Sequence, residues 1–325
     1  MSIEKKPLVN DLYTADPSAH VFNGKIYIYP SHDEDIDVEN NDNGDQYDMK
    51  DYHVYEMPDT ETYPRDCGCV LKLEDIPWAS KQLWAPDCVE KDGKYYFVFP
   101  ARDKEGFFRI GIAIGDKPEG PFKAEPNYIP GSYSIDPCMF PDTDGKYYLT
   151  FGGIWGGQLD QYRNNKWSAD NKEPKGDELA CTAKIALMKD NLLEMAEEPK
   201  DIMILDENGK PLTGGDEARR YFEDPWMFKK GDTYYFTYST GTTHLLCYAT
   251  SKNVYGPYTY GGVILTPVLG WTTHHSILEF NGKWYLFYHD CERSGGVNQK
   301  RNVKFRELKF NDDGSIQTMD GSLDK

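Results

Sequence analysis

The sequence lacks long apolar runs and an excess of positive charge. No apolar stretch approaches the roughly 18 residues that a membrane-spanning helix needs. Lysine and arginine number 36 against 54 aspartate and glutamate, which gives a net charge of −18 at pH 7. Such a surface repels phosphate groups, so nucleic acid and anionic membranes are not expected as partners. The first residues contain no apolar segment of the kind found in signal peptides, and we therefore expect a cytoplasmic protein.

Cysteine pairs with metal-binding or disulfide spacing are also scarce. The chain has seven cysteines, an odd number, and only Cys67 and Cys69 lie close together. A C-x-C sequence without a second pair is a weak metal motif. We predict that the cysteines are free thiols that pack as small apolar side chains.

Aromatic residues, by contrast, are abundant. The 325 residues include 24 Tyr, 15 Phe and 7 Trp, an aromatic share of 14%. Disordered acidic chains lack aromatic residues, so this composition predicts a folded core. Tyr and Phe favour strands, and the 29 Gly and 20 Pro predict many turns between them.

One local pattern recurs five times along the chain. Each copy is a glycine turn followed by an aromatic-rich, strand-like run. The copies occupy residues 23–29, 92–99, 144–151, 230–238 and 281–288. Their turn glycines, at positions 24, 93, 145, 231 and 282, are 69, 52, 86 and 51 residues apart.

This spacing predicts an all-β, five-bladed β-propeller, formed as a single domain by residues 1–325. About 50 residues suffice for a four-stranded blade, and repeats at a fixed period are typical of radial folds. We expect the aromatic runs to form the inner strands of the blades. The two longer spacings indicate insertions, one containing the acidic run 33–51 and the other residues 156–178.

Acidic residues precede the turns in similar positions. Asp16, Glu223 and His274 each stand eight residues before their turn glycine, and Asp136 stands nine before, with one extra residue in its turn. Residues in the same phase of a propeller converge on its central channel, where like charges are costly without a function. Taken singly, each Asp-Pro motif is also compatible with ordinary turn chemistry.

Three acids without a serine or cysteine in the same phase indicate acid–base hydrolysis. In glycoside cleavage one carboxyl protonates the leaving oxygen and the second acts at the anomeric centre. A third carboxylate raises the pKa of the acid by repulsion. Trp84, Trp155, Trp226 and Trp271 lie in the motif loops, where their faces can stack on a sugar ring, although core packing is an equal alternative for each.

At these motifs the chain resembles glycoside hydrolase family 43, over about residues 7 to 310. The resemblance rests on Asp16 in Ala-Asp-Pro, on Trp84-Ala-Pro-Asp and Ser-Ile-Asp136-Pro, and on Glu223 and His274. It implies a five-bladed propeller that hydrolyses xylans, arabinans or arabinoxylans with inversion of configuration.

The resemblance also implies roles for individual residues. Asp16 is the expected general base, Asp136 the carboxylate that tunes and orients the acid, and Glu223 the general acid. Arg301 is expected to contact the sugar in the −1 subsite. The chain departs from the common pattern at Glu223-Asp224-Pro, where Asp224 is a rival for the acid. We favour Glu223 because it keeps the eight-residue phase.

A divalent cation is the cofactor that the resemblance implies. It would be hydrated, with calcium the first candidate, and would lie near His274. A direct hydrogen bond from His274 to a carboxylate or the sugar is the alternative. His275 is expected to face away from the channel. His32, at the start of the acidic insertion, is expected to reach the sugar pocket.

The predicted function is that of an inverting, exo-acting β-D-xylosidase that releases D-xylose from the non-reducing ends of xylo-oligosaccharides or arabinoxylo-oligosaccharides. An α-L-arabinofuranosidase, or dual activity, is the near alternative, and an endo-arabinanase would need an open groove. A non-catalytic carbohydrate-binding propeller is the alternative from another class, whereas a WD-type propeller lacks its Trp-Asp signature here. The sequence leaves a homo-oligomer open.

Overall fold

The structure, a computed structural model, describes residues 2–36 and 38–324 and is built almost wholly of strands. Five of its sheets, antiparallel except for one strand pair in blade four, are arranged as the blades of a β-propeller, which confirms the predicted fold class. No helix among the described residues is long and apolar enough to cross a membrane. The seven cysteines are all free, as predicted.

The first two blades come from the N-terminal part of the chain. Blade one has four strands, β1 (Tyr13–Phe22), β2 (Lys25–Asp33), β3 (Asp51–Met57) and β4 (Arg65–Lys72). Blade two has β5 (Ala79–Lys81), β6 (Asp87–Lys91), β7 (Lys94–Asp103), β8 (Phe108–Gly115) and β9 (Lys123–Ala124). In blade two, β5 and β6 both pair with β7, at its two ends.

Blade three carries the larger insertion. Its strands are β10 (Cys138–Pro141), β11 (Tyr147–Phe151), β14 (Lys184–Leu187) and β15 (Lys200–Asp201), and the insertion forms the hairpin β12 (Tyr162–Arg163) and β13 (Lys166–Trp167). The structure also has short 3₁₀ turns. One lies between blades one and two, two precede β12, and one follows β23, at Leu73–Asp75, Trp155–Gly157, Leu159–Gln161 and Gly321–Asp324.

Blades four and five complete the ring. Blade four has β16 (Ile204–Leu205), β17 (Glu223–Lys230), β18 (Thr233–Ser239), β19 (Leu246–Ser251) and β20 (Tyr258–Leu265), with β16 parallel to β20. Blade five has β21 (His275–Phe280), β22 (Lys283–Asp290) and β23 (Asn302–Leu308). The strands β1, β6, β10, β17 and β21 contact one another in turn around the axis, and β21 contacts β1 again.

The N-terminal segment closes the ring against blade five. The amide N–H groups of Lys5 and Leu8 donate to the carbonyls of Phe305 and Val303 on β23. Leu8 is buried in an apolar cluster that includes residues of blades one and five. The beginning and the end of the chain are therefore joined by backbone hydrogen bonds and by a shared core.

The aromatic runs form the second strand of each blade and not the inner strand, so that expectation is wrong. The inner strand precedes each glycine turn, and the aromatic strands β2, β7, β11, β18 and β22 pair on its outer side. They are buried between strands and between blades, as Phe97 and Phe99 are. Large apolar rings fit this position because both faces of the sheet are covered there.

The turn glycine does not occupy the same position in every blade. In blade one Asn23 and Gly24 both have positive φ, 51° and 75°, as a type I′ turn requires. In blade four the glycine takes the first turn position, with φ of 58° at Gly231, and Asp232 follows it without a positive φ. The turn glycine of blade four is therefore one place earlier in its turn than that of blade one.

Candidate active site

A cavity of about 330 Å³ lies over the inner strands. Its lining includes the carboxylates of Asp16, Asp136 and Glu223, together with His274 and Arg301. The structure therefore brings together the five polar site residues that the phase and the resemblance selected. Asp16 and Glu223 lie on inner strands, and His274 directly precedes one. Asp136 stands two residues before the inner strand β10, and Arg301 directly precedes β23.

The inner strands bulge where they deliver these acids. The pairing of β1 with β2 shifts between Ala15 and Ser18, and that of β17 with β18 shifts between Glu223 and Trp226. Asp16 stands at φ 50° and Asp224 at φ 64°, and each is followed by proline. Aspartate tolerates this left-handed conformation better than most residues, and bulges re-aim side chains beside functional sites.

The pairing corrects the phase argument for Glu223. Phe22 and Lys230 are the last paired residues before the two turns, and Asp16 and Asp224 each lie six positions before them. Asp224, and not Glu223, is thus the backbone equivalent of Asp16. The eight-residue count failed because the turn glycine of blade four stands one place earlier in its turn.

The side chains nevertheless separate as expected from their alternation along the strand. Glu223 lines the cavity and is partly exposed, whereas Asp224 is fully buried and does not line it. The carboxylate of Asp224 accepts hydrogen bonds from the N–H and from Nδ1 of His275. The Nε2 of His275 in turn contacts the Thr237 hydroxyl at 2.6 Å, so His275 faces away from the cavity, as predicted.

Asp16 is held as a carboxylate by cationic and hydroxyl partners. Arg301 Nη1 donates to its Oδ1 at 2.9 Å, and the Ser31 hydroxyl donates to Oδ2. Burial acts to raise the pKa of Asp16, but Arg301, His274, His289 and the Ser31 hydrogen bond together lower it to about 2. At neutral pH this group is therefore an anion that can accept a proton.

Glu223 and Asp136 are shifted in the opposite direction. Burial and the negative charge of Asp16 raise the pKa of Glu223 to about 8, against the effect of Arg301. Burial, together with Glu223 and Asp16, raises the pKa of Asp136 well above its usual range. The N–H of Asp224 donates to Asp136 Oδ2 at 3.1 Å and fixes that carboxyl beside Glu223. The site thus holds one carboxyl whose pKa is lowered, Asp16, beside two whose pKa values are raised, Glu223 and Asp136.

Arg301 is oriented by a residue that the sequence reasoning missed. Its Nε and Nη2 donate to the two carboxylate oxygens of Asp33, at 2.8 and 2.7 Å. This bidentate pair fixes the guanidinium plane and leaves Nη1 for Asp16. Asp33 stands at the end of β2, and its position in the acidic run gave no signal of this contact.

His289 is a second residue that the sequence reasoning missed. The N–H of Asp16 donates to His289 Nδ1 at 3.0 Å, and His289 Nε2 lies 3.1 Å from the carbonyl of Thr272. These two contacts define a neutral ring that carries its proton on Nε2 and holds the backbone of Asp16. The only signal in the sequence was a histidine near the end of an aromatic strand.

His32 does not reach the cavity, so that prediction is wrong. Its Nδ1 lies 2.6 Å from Asp51 Oδ1, and its ring packs edge-on to His53. The next residue, Asp33, points to Arg301 instead. Neighbouring residues of a strand face opposite sides, so only one of the two can face the site.

Three of the four tryptophans of the motif loops line the cavity. Trp226 does not, because it is buried in β17 and donates its Nε1–H to the Ile277 carbonyl at 3.1 Å. Trp155 is 40% exposed, and its ring lies 5.9 Å from that of Trp271, at an angle of 31°. Trp84 donates its Nε1–H to the Tyr47 carbonyl at 2.9 Å and packs against Gly44 so closely that a Cβ there would lie 2.5 Å away. Trp155 therefore offers an exposed aromatic face to the cavity, whereas Trp84 is packed into its wall.

His274 and Asp224 form a site that fits a cation. His274 Nε2 lies 2.9 Å from the buried Asp224 Oδ1, the direct contact with a carboxylate given above as the alternative to a metal, and that oxygen has no other partner among the described residues. Burial lowers the pKa of His274 to about 4 despite the nearby Asp16, so its ring is neutral at neutral pH. A neutral imidazole and an unpartnered carboxylate oxygen are suitable donors for a divalent ion with a largely hydrated shell.

Comparison with known proteins identifies the family. The family model of Glycosyl hydrolases family 43 matches residues 5–316. A xylosidase/arabinosidase from Bacteroides ovatus is 56% identical over 322 residues, which are 99% of each chain. A xylosidase/arabinosidase 43A from Humicola insolens is 58% identical and covers 96% of this chain and 98% of its own.

Solved structures agree. RS223 β-xylosidase superposes with a TM-score of 0.96 at 57% identity and covers 98% of each chain. CoXyl43, a β-xylosidase/α-arabinofuranosidase from a compost microbial metagenome, was solved in complex with xylotriose in a calcium-free form. It has a TM-score of 0.96 at 55% identity, covering 99% of this chain and 98% of its own.

The chain belongs to glycoside hydrolase family 43, which confirms the family predicted from the motifs. It is therefore a glycoside hydrolase, and the non-catalytic binding propeller is set aside.

Proposed function

We propose that this protein is an inverting, exo-acting β-D-xylosidase that releases D-xylose from the non-reducing ends of xylo-oligosaccharides. One observation carries the proposal. Two carboxyl groups in the same cavity have pKa values displaced in opposite directions, to about 2 at Asp16 and about 8 at Glu223. Such a separation assigns one group as base and the other as acid at neutral pH.

The reaction follows from these protonation states. Asp16 takes a proton from water as the water oxygen bonds to the anomeric carbon. Glu223 gives its proton to the glycosidic oxygen as the bond from that oxygen to the anomeric carbon breaks. Burial and the charge of Asp16 keep the pKa of Glu223 high, and we propose that Asp136, beside it, orients the acid. Inversion requires room for the water, so we expect the two carboxyls to be about 6.5–9.5 Å apart.

The walls of the cavity support exo action. The loop after β2 contributes Asn41 and Tyr47, and the insertion of blade three contributes Trp155 and Gly156. Two inserted segments from different blades thus border one cavity, where an endo-acting enzyme needs an open groove. The xylotriose bound by the related CoXyl43 is a short substrate of the proposed kind.

Product analysis tests the proposal. With xylotriose, we expect xylose and xylobiose to appear first, and freshly released xylose to be the α-anomer in a time-resolved NMR spectrum. Release of β-xylose would contradict inversion. Internal cleavage of long arabinan, with background rates on small xylosides, would contradict the exo-xylosidase.

An α-L-arabinofuranosidase activity at the same site is the second candidate. The relatives from Bacteroides ovatus and Humicola insolens, both more than half identical to this chain, are each named xylosidase/arabinosidase. Rates on nitrophenyl β-D-xylopyranoside and nitrophenyl α-L-arabinofuranoside measure the two activities. If one site serves both, xylose should inhibit both with the same inhibition constant.

We also propose that a divalent cation, with calcium the first candidate, binds at His274 with Asp224 Oδ1 and water. When bound, it would supply positive charge near Asp16, whose Oδ1 lies 3.7 Å from His274 Nδ1, and favour the anionic form of that base. The unpartnered Asp224 oxygen beside a neutral imidazole supports this proposal. We expect exhaustive chelation to lower the rate and added calcium to restore it, whereas a rate unchanged by chelation would contradict the proposal. The cytoplasmic location and a homo-oligomeric state stay predictions from the sequence.

A further inference from the structure

A second group of metal-binding side chains lies outside the cavity, in blade one. His32, Asp51 and His53 each offer a ligand atom, and these atoms all lie within 4.8 Å of one another. None of the three lines the active-site cavity. Their side chains are 14%, 26% and 17% exposed, so the group is sheltered but open to solvent on one side.

Strand pairing places these side chains together. In the β2–β3 ladder Ile28 pairs with Tyr55, and the same register continued to the end of β2 sets His32 opposite Asp51. His53 is then the diagonal neighbour on the same face, two residues along β3. The pairing of β3 with β4 shifts on both sides of His53, and such bulges re-aim a side chain.

A further carboxylate orients His53. The two oxygens of Asp66, on β4, lie 3.2 and 3.1 Å from His53 Nδ1. A carboxylate that binds one ring nitrogen fixes the ring and leaves the other nitrogen for a metal, the arrangement common around histidine ligands. The cluster therefore has three ligands and a supporting group.

From this cluster we infer a zinc site formed by His32, Asp51 and His53, with Asp66 as the supporting carboxylate. Two imidazoles and one carboxylate suit zinc, whereas calcium prefers a shell of oxygen atoms. Ligand atoms around tetrahedral zinc lie about 3.3 Å apart. Side-chain rotations therefore have to open the 2.6 Å contact between His32 Nδ1 and Asp51 Oδ1 slightly and to shorten the wider separations, which reach 4.8 Å at most. Water fills the fourth position.

The site lies at the base of a loop that borders the cavity. His32 is the penultimate residue of β2, just before the loop between β2 and β3, and Asp51 is the first residue after that loop. That loop contributes Tyr47 to the cavity, and Asp33, adjacent to His32, holds Arg301. Bound zinc would join the two ends of the loop and reduce its freedom where it meets the sugar site.

Zinc titration of the metal-free protein tests the site. We expect calorimetry to show one equivalent of bound Zn²⁺ that is lost in both His32→Gln and His53→Gln. Asp66→Asn, which keeps the ligands but removes the supporting charge, should weaken binding by roughly 10–100-fold. His274→Gln is the matched control for the proposed calcium site and should retain this equivalent. Binding that disappears in His274→Gln but survives in His53→Gln would overturn the inference.

A crystallographic measurement guards against variants that fail to fold. Wild-type crystals soaked in Zn²⁺ should give an anomalous peak at the zinc edge between the rings of His32 and His53. Absence of that peak, with the His32–Asp51 contact intact, would show a metal-free ion pair and overturn the zinc site. Neither test depends on the xylosidase activity, so it can fail or succeed independently of the proposed function.

Discussion

At the scale of single residues, the site depends on two carboxyls whose surroundings differ. Asp16 has Arg301, Ser31 and two histidine rings about it, whereas Glu223 has burial and the charge of Asp16. The same kind of functional group is thereby an anion in one place and an acid in the other. The difference arises because residues far apart in the chain, such as Ser31 and Arg301, meet at Asp16 and not at Glu223.

The pH dependence of the rate follows from these two groups. Base catalysis needs Asp16 ionised, which holds above its pKa of about 2, and acid catalysis needs Glu223 protonated, which holds below its pKa of about 8. We expect kcat/KM on xylobiose to be level in the neutral range and to fall about tenfold per pH unit above Glu223's pKa. A plateau that persists to strongly alkaline pH would contradict the assignment of the acid.

Replacing the acid should affect substrates unequally. Glu223→Gln should lower kcat on xylobiose by roughly 10²–10⁴-fold, since its sugar leaving group needs a proton. The loss on nitrophenyl xyloside should be much smaller, because nitrophenolate leaves without protonation. Asp16→Asn is the matched control and should lose activity on both substrates alike. Equal losses for Glu223→Gln on the two substrates would point to another acid.

At the scale of elements, one buried side chain joins the two inserted segments that border the cavity. Arg102, on β7, donates from Nη2 to Asn43 Oδ1 at 2.9 Å and to the Gly156 carbonyl at 3.4 Å. Its Nε donates to Gln82 Oε1, which keeps the guanidinium in place. The loop after β2 and the insertion of blade three are thus held by the same residue.

Loss of this contact should loosen the cavity without touching the catalytic acids. Hydrogen bonds to charged groups contribute about 1.5–3 kcal/mol each, so Arg102→Gln should lower the unfolding free energy by an amount of this order. We expect KM for xylotriose to rise more than kcat falls, as measured by steady-state kinetics. Lys104→Gln, at an exposed position one residue beyond β7, is the control and should change neither. An unchanged KM in Arg102→Gln would show that other contacts hold the segments.

At the scale of the whole molecule, stability depends on closure of the ring. Leu8 is 3% exposed and lies in the cluster shared by blades one and five. Leu8→Ala should cost about 2–5 kcal/mol through lost burial and the cavity left behind. Lys6→Ala, exposed in the same segment, should be nearly neutral. Urea unfolding of both variants measures the difference, and similar midpoints would mean that the segment contributes little to closure.

The repeat made the fold readable from the sequence. Glycine turns followed by aromatic runs, recurring 51 residues or more apart, specify blades because each blade is a local unit of hairpins. Which strand is innermost was not readable, because adjacent strands of a blade are both apolar and both buried. The motifs around Asp16, Asp136, Glu223 and His274 likewise found the site, since residues at or just before the starts of the inner strands converge on one axis.

The sequence by itself thus determined the propeller, the family and the residues around the axis. The tertiary structure decided that Glu223 faces the cavity. The next residue, Asp224, is the backbone equivalent of Asp16 but is buried. It also decided that Asp33, and not His32, faces Arg301. Both outcomes depend on which of two neighbouring strand residues faces the site. Strand alternation and bulges set that choice, and a shift of one residue in the strand register would reverse it. The pKa values were beyond the sequence because they arise from burial and from charges that meet only when the ring closes.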